Sequence, residues 1–277
     1  MFGKEVAAIL EDVNEMIVEN FHSAHEISIK PDESIVTKTD REVENILIPR
    51  LKELLPESTI IGEESAPKDP EEIEKCFQSE YLWSVDPIDG TMNFAAGLPL
   101  FAVSVGLFKR TEKGYEPVSG SISFPAFSEV YFTHEGSTWL RNIHSGKETK
   151  IQRNPEKSIS SLLVPNHYVI GKNVDRKNPF ASNIRLLGST AADMLFVSLG
   201  KATATLTLAH LWDIAAALAI AKTQDLYPRD LISGEVKEYF TKDDFFYGEP
   251  KQHWRLKKPL VLCDDIYFSD VKNLIKD

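Results

Sequence analysis

The chain has 277 residues, 42% hydrophobic and 26% charged, and 31 basic against 42 acidic side chains leave a net charge of −11. That length can bury a large core and suits one big α/β unit or two closely packed halves. The acidity argues against broad binding of nucleic acid polymers, which needs a basic footprint, and no run of about 18 apolar residues offers a membrane span. Glu5, Glu11, Asp12, Glu15 and Glu19 sit among the first apolar residues, unlike a basic-then-apolar secretion signal, so a cytoplasmic location is expected. Cys76 and Cys263 are too few for a disulfide framework and form no CxxC pair; both are expected to be reduced thiols.

Val6, Ile9, Leu10, Val13, Ile17 and Phe21 recur at helical spacing and predict a first helix from Phe2 to Phe21. Ile27 to Lys38 reads as a short strand, a polar loop around Pro31-Asp32-Glu33-Ser34 and a return strand. A second helix is predicted from Thr39 or Asp40 to Leu55, kinked or divided by Pro49. Ser58 to Gly62 is a brief strand ending in Glu63-Glu64-Ser65, followed by an acidic segment to Glu80, helical or mobile, and then a strand into Asp86. Leu100 to Lys109, Val118 to Phe124 and Glu129 to Thr133 read as successive antiparallel strands, which makes residues 1–150 an α+β half. Strands at Ser160 to Pro165, Ile184 to Leu187, Ala202 to Leu208 and near Leu260 alternate with helices at Ser189 to Leu199, Leu211 to Ala221 and from Ser269. Residues 151–277 therefore suit an α/β half. With no flexible linker between them, the halves are expected to form one rigid unit. Arg141 to Arg185 carries nine Lys or Arg, Lys157, Lys172, Arg176 and Lys177 among them. A solvated basic face explains such a stretch; the sharper alternative is that one of these side chains holds a second charge on a substrate.

The most informative run is Tyr81-Leu82-Trp83-Ser84-Val85-Asp86-Pro87-Ile88-Asp89-Gly90-Thr91. An apolar strand delivers two carboxylates that can both reach a divalent cation. The Gly90-Thr91 turn then presents free N–H groups to an anion. Taken alone, an Asx-rich surface turn would use the same residues. Glu63 and Glu64, however, also end a strand, and Asp213 follows Trp212 at the start of a helix, where by itself it would be an ordinary N-cap. Three or more converging carboxylates repel one another unless cations lie between them, which points to two or three Mg²⁺ ions and two-metal phosphate chemistry.

Gly62-Glu63-Glu64-Ser65, Asp86-Pro87-Ile88-Asp89-Gly90-Thr91 and Leu211-Trp212-Asp213-Ile214-Ala215-Ala216 resemble the three signatures of the inositol monophosphatase family, in the same order and with similar spacing. The resemblance runs from the first helix to about Ala221. It implies a layered αβαβα sandwich, usually a homodimer, that hydrolyses phosphate monoesters with Mg²⁺ and is often inhibited by Li⁺. Carried over, Glu63, Asp86 and the Ile88 carbonyl would hold the first metal, Asp86, Asp89 and Asp213 the second, and Glu63 also a weaker third. The attacking water would lie between Glu63 and Thr91, with Asp40 hydrogen-bonded to Thr91 and tuning it as a proton acceptor. Glu63, Thr91 and Asp40 would thus form the catalytic set. The N–H groups of Gly90 and Thr91 would hold the phosphate, and Gly188-Ser189-Thr190 would contact the substrate alcohol. Lys30 matches a lysine near the metals, and Glu64 and Arg185 are further candidates. His210, beside the last motif, is read as structural.

Inositol-specific members place a glutamate about seven residues before the Trp-Asp aspartate, where Thr205 to Leu211 holds no acid, so a main ground for inositol discrimination is missing. The family's Glu-Ala-Gly-Gly is replaced by Thr223-Gln224-Asp225-Leu226-Tyr227-Pro228, and Glu135-Gly136-Ser137-Thr138-Trp139 departs from its Gly-rich hairpin. The expected activity is Mg²⁺-dependent hydrolysis of a phosphate monoester of a small sugar, polyol or related metabolite. Fructose bisphosphate, histidinol phosphate and 3′-phosphonucleotides stand as alternatives to inositol phosphate. The nucleotidase branch usually has Lys-Glu-Phe where this chain has Met92-Asn93-Phe94. A non-catalytic member that binds phosphorylated ligands is the other class, and it would not need Glu63, Asp86, Asp89, Thr91 and Asp213 together.

Overall fold

The computed structural model describes residues 1–23, 27–29, 35–154, 159–163 and 173–276. Helix α1 (Gly3–Phe21) buries Val6, Leu10, Val13 and Ile17, and α2 (Lys38–Leu54) buries Val43, Leu47 and Leu51, each stripe following from helical spacing. Pro49 does not divide α2. Both helices pack on one face of a seven-stranded sheet with spatial order β3 (Thr59–Gly62), β4 (Tyr81–Asp89), β5 (Ala102–Thr111), β6 (Gly114–Phe124), β7 (Glu129–His134), β8 (Ser137–Asn142), β9 (Glu148–Ile151). β3 runs parallel to β4 and every later neighbour is antiparallel. β8 and β9 lengthen the sheet beyond the expected strands. Only Thr138 in them is fully buried, so no apolar alternation marks them.

Two helices of the second half, α5 (Thr190–Ser198) and α6 (Leu211–Lys222), cover the other face of this sheet. Ten of the twelve residues of α6 are buried, as a helix enclosed on all sides requires. Its approach to the sheet depends on two paired glycines, Gly106 of β5 and Gly120 of β6. A Cβ on Gly106 would lie 2.5 Å from the Ala215 Cβ, and one on Gly120 2.2 Å from the Ala216 carbonyl oxygen. Beyond these helices lies a five-stranded sheet, ordered β12 (Ile184–Arg185), β10 (Ile159–Leu163), β13 (Ala202–Thr207), β15 (Leu260–Cys263), β14 (Arg229–Asp230). Its first three strands are parallel and the last two antiparallel additions. Helix α7 (Asp265–Lys272) packs on β13 and β15, completing the αβαβα sandwich.

Smaller elements are the hairpin β1 (Ile27–Ile29) with β2 (Ile35–Thr37), the pair β11 (Asn173–Val174) with β16 (Ile275–Lys276), and helices α3 (Pro70–Cys76) and α4 (Thr91–Ala95). Helix α7 starts a turn before the expected Ser269, because its first turn carries the 76% exposed Ile266 and leaves no apolar signature there. Within the basic stretch, Arg141 pairs with Glu11 and Glu148, and Arg153 grips Asp264 with both terminal nitrogens at 2.8 Å. These two are ties between elements; Lys157 and Lys172 lie outside the described residues. Cys76 and Cys263 are buried free thiols, and no helix of the described residues is long and apolar enough to cross a membrane.

Gly106→Ala should cost about 3 kcal/mol, since the added methyl meets backbone and not a movable side-chain tip. Equilibrium urea unfolding reads this as a lower midpoint, and an unchanged midpoint would mean that α6 moves away freely.

Candidate active site

Side chains three apart on a regular strand point to opposite faces. Asp86 and Asp89 escape that rule because β4 is bulged between them. Asp86 pairs with Ser104 and Asp89 with Ala102 on β5, so three steps along β4 match two along β5. The extra residue re-aims the second carboxylate to the side of the first. Pro87 has no N–H to lose in a broken ladder, and the Ile88 N–H, freed from the sheet, donates to Asp86 Oδ1 at 3.0 Å.

Asp213 arrives from the facing layer. It is the third residue of α6 and not its N-cap: the cap is His210, whose backbone N–H donates to Asp213 Oδ2 at 2.9 Å. The His210 ring stacks on Trp212 with centroids 5.0 Å apart, and the buried Ser104 hydroxyl donates to the Trp212 carbonyl at 3.3 Å. Oxygens of Asp86, Asp89 and Asp213 all lie within 4.8 Å of one another. Glu63 adjoins them because β3 is parallel to β4: its N–H donates to the Val85 carbonyl at 3.0 Å, beside Asp86. The turn it heads is held by the buried Glu44 carboxylate, which accepts the Glu64 N–H at 2.9 Å. A Cβ at Gly62 would collide with that carboxylate at 2.4 Å, which is why the motif opens on glycine.

Gly90 has φ +95°, a left-handed conformation open to glycine, and turns the chain from β4 into α4. Thr91 then places its hydroxyl 3.2 Å from Asp40 Oδ1 and 3.0 Å from the Ile88 carbonyl oxygen. Asp40 is fully buried as the third residue of α2, and its Oδ2 accepts both the N–H and the hydroxyl of Thr37. Asp89 is held from the second half: Oδ2 accepts the Ser189 hydroxyl at 2.6 Å and the Ala191 N–H at 2.5 Å, and Oδ1 the Thr190 N–H at 3.2 Å.

Burial first, then repulsion from Glu63, Asp89 and Asp213, raises the Asp86 pKa well above the usual carboxylate range. Asp89 is pushed up to about 7 by burial and then Asp213, against the lowering effect of its three donors. Burial also raises Asp40. Asp193, buried in α5, is raised by burial and then by Asp89. Buried carboxylates crowded in this way favour a positive charge among them, and an all-oxygen set of this hardness suits Mg²⁺.

A folded-state value near 7 against an ordinary 3.8 means that the apoprotein holds a proton the unfolded chain releases. That contribution to stability is complete below about pH 4 and lost as pH rises through about 7. In chelator, the melting temperature of wild type should fall relative to that of Asp89→Asn as pH is raised over this window. Parallel curves would show Asp89 ionised throughout.

The structure brings Glu63, Asp86, Asp89, Asp213, Thr91 and Asp40 to one end of β4, with Gly90 opening α4 beside them. Gly188, at φ +80°, packs its carbonyl oxygen against Gly90, 3.1 Å from where a Cβ there would sit. Ser189 and Thr190 are turned onto Asp89. Glu64 lies near enough to Asp40 to raise its pKa. Arg185 is exposed at the carboxyl end of β12, its guanidinium donating to the Ile184 carbonyl at 3.1 Å. Lys30 lies outside the described residues. Sequence reasoning passed over Glu44, Ser104, Asn93 and Asp193. Asn93 donates to the carbonyls of Leu100 and Leu187 at 2.6 and 2.7 Å, tying α4 to the segment before Gly188; an amide in the first turn of so short a helix was the signal for it.

The sequence profile of the inositol monophosphatase family matches residues 4–224. A fructose-1,6-bisphosphatase/inositol-1-monophosphatase from Thermotoga maritima is 32% identical over 217 residues, 76% of this chain and 77% of that protein. Among solved structures, a Thermotoga maritima IMPase superposes with a TM-score of 0.73 at 23% identity, covering 98% of this chain and 95% of its own. An IMPase/NADP phosphatase crystallised with Mg²⁺ and phosphate gives 0.70 at 17% identity, covering 96% and 93%.

Proposed function

The chain belongs to the inositol monophosphatase family, a family of phosphate monoester hydrolases, and we propose that it hydrolyses the phosphate monoester of a small sugar, polyol or related metabolite with two or three Mg²⁺ ions. The observation that carries this is the convergence of Asp86, Asp89 and Asp213 within 4.8 Å beside the Gly90-Thr91 turn and Glu63. Asp86, Asp89, Asp213 and Glu63 would hold the ions, with the Ile88 carbonyl as a further ligand. Mg²⁺ there supplies positive charge for the phosphate and leaving oxygen and makes water a better nucleophile. A structural neighbour crystallised with Mg²⁺ and phosphate supports the same assignment.

The remaining steps belong to the chain itself. The first N–H groups of α4 have no intrahelical acceptor, and they meet the phosphate oxygens at the turn. The Thr91 hydroxyl has one proton for two acceptors, Asp40 and Ile88. If the Ile88 carbonyl binds metal, that proton goes to Asp40 Oδ1, and a Thr91 lone pair is free to accept from the attacking water. Asp40 Oδ2, already occupied by Thr37, holds the dyad in this sense.

Leu206 lies seven residues before Asp213 and is 3% exposed, packed with Leu162, Ala204 and Val261. No carboxylate meets a sugar hydroxyl from that position, which favours a less inositol-specific site. The Thermotoga relative carries both bisphosphatase and inositol monophosphatase in its name, and fructose bisphosphate, histidinol phosphate and 3′-phosphonucleotides stay within the proposed class. The exposed Arg185, at the carboxyl end of a parallel strand where such sheets bind ligands and three residues before Gly188, is a candidate cation for a second phosphate.

Purified protein should release phosphate from members of a sugar and polyol phosphate panel with Mg²⁺ and stop in excess chelator. Asp89→Asn should lower kcat on the order of 10²- to 10³-fold, the scale of losing a group that stabilises transition-state charge. Activity that persists in chelator would overturn the metal mechanism. Arg185→Ala should raise KM for a bisphosphate several-fold while sparing that for a monophosphate; equal changes would return Arg185 to a solvated basic face.

A further inference from the structure

We propose that Ser189 is a positioning residue for Asp89, and not a contact for the substrate alcohol. Ser189 is 2% exposed. Its oxygen accepts the Ala192 N–H at 3.2 Å as the N-cap of α5, and its hydroxyl lies 2.6 Å from Asp89 Oδ2. A hydroxyl has a single proton. Ala192 supplies its own, so the Ser189 proton goes to Asp89; the oxygen keeps one lone pair, but a residue only 2% exposed offers a substrate alcohol almost no surface from which to reach it.

The Thr190 and Ala191 N–H groups complete a set of three donors on Asp89. A carboxylate has about four acceptor sites, so the set leaves Asp89 room for one further bond and fixes the plane in which it is made. The positive end of α5 favours the ionised carboxylate. Asp86 is treated differently: among the described residues it accepts one backbone N–H, from Ile88, so more of its acceptor sites would be available to a cation. Asn93, by holding the Leu187 carbonyl at 2.7 Å, anchors the backbone two residues ahead of Ser189. Asp89 belongs to the seven-stranded sheet and Ser189 to the helix layer behind it, 100 residues later. Ser189 thus couples ion affinity to the seating of α5 on the first half.

This inference rests on the proposal that the carboxylate cluster binds divalent metal, and the two are separable by experiment. Mn²⁺ is titrated calorimetrically into metal-free wild type, Ser189→Ala, Ser189→Thr and Ser189→Asp, each first shown to melt cooperatively in chelator. Wild type should bind Mn²⁺, and Ser189→Ala should bind it about 10-fold more weakly, the usual loss when a partner that orients a ligand is removed. Ser189→Thr, which keeps the hydroxyl, should restore affinity. Ser189→Asp keeps an acceptor for the Ala192 N–H but brings no proton to Asp89, and should be as weak as Ser189→Ala; it answers the question if the alanine variant fails to fold. At saturating metal, KM for the phosphate ester should stay near wild type. Unchanged Mn²⁺ affinity with a raised KM would overturn the inference and make Ser189 a substrate contact, whereas a wild type that binds no Mn²⁺ would overturn the metal reading beneath it.

Discussion

Three carboxylates whose oxygens lie within 4.8 Å of one another, two of them buried, cannot all be charged without a cation among them. Much of the architecture around β4 serves to hold that arrangement. In isolation the cluster would relieve itself by rotating its side chains toward solvent. Each carboxylate is instead pinned by a backbone donor: Asp86 by the Ile88 N–H, Asp213 by the His210 N–H, Asp89 by the N-terminus of α5. Backbone donors suit this task because their positions are set by secondary structure.

Close approach of layers is the second half of the same problem. Asp213 reaches Asp86 because α6 lies almost on the backbone of β5 and β6, and the only side chain that permits this at positions 106 and 120 is none. Gly62 answers a similar demand around the Glu44 carboxylate. The glycines and alanines between the layers therefore contribute to the chemistry at a distance, by setting how far apart the ligands stand. A core of larger residues would bury more apolar surface and move Asp213 out of reach.

How much of this could be read from the sequence follows from the kind of signal each part leaves. Periodicity reports one-sided burial, so α1 and α2 were readable, while β8 and β9, half exposed on both faces, were not. The site was readable wherever ligands cluster in short motifs at element ends, as in residues 62–65, 86–91 and 211–216. The bulge in β4 was not, because register belongs to two strands at once and Asp86-Pro87-Ile88-Asp89 shows only one of them. Asp213, a metal ligand by its motif, looks like an N-cap when taken alone, whereas its bond runs back to the N–H of the cap residue, His210. Ser189 lies in a motif that points to substrate, but the direction of its hydroxyl depends on Asp89, remote in sequence. Glu44 and Asp193 left no mark at all, since a buried acid on a helix looks in sequence like a solvated one.

The segment after residue 224 shows why sequence and structure part company there. The family profile ends at that point, yet the fold match to the Thermotoga structure spans 98% of the chain. The later segment supports the site through backbone bonds: Leu211 N–H to the Trp254 carbonyl at 3.0 Å and Leu256 N–H to the Ala209 carbonyl at 2.9 Å. Such bonds fix the loop that launches α6, and so Asp213, without prescribing side chains. Trp254 itself, in a left-handed conformation at φ 64°, is held by its indole N–H on the Pro67 carbonyl at 3.1 Å and by stacking on Phe77. Local strain is thereby tolerated in return for a wedge between the two halves. Arg255, on the same segment, lies close enough to Asp213 to interact electrostatically, with its Nε on the Leu208 carbonyl at 2.8 Å. The carboxylate motifs thus lie within the matched region, whereas Arg255, which reaches Asp213, is supplied from the segment beyond it.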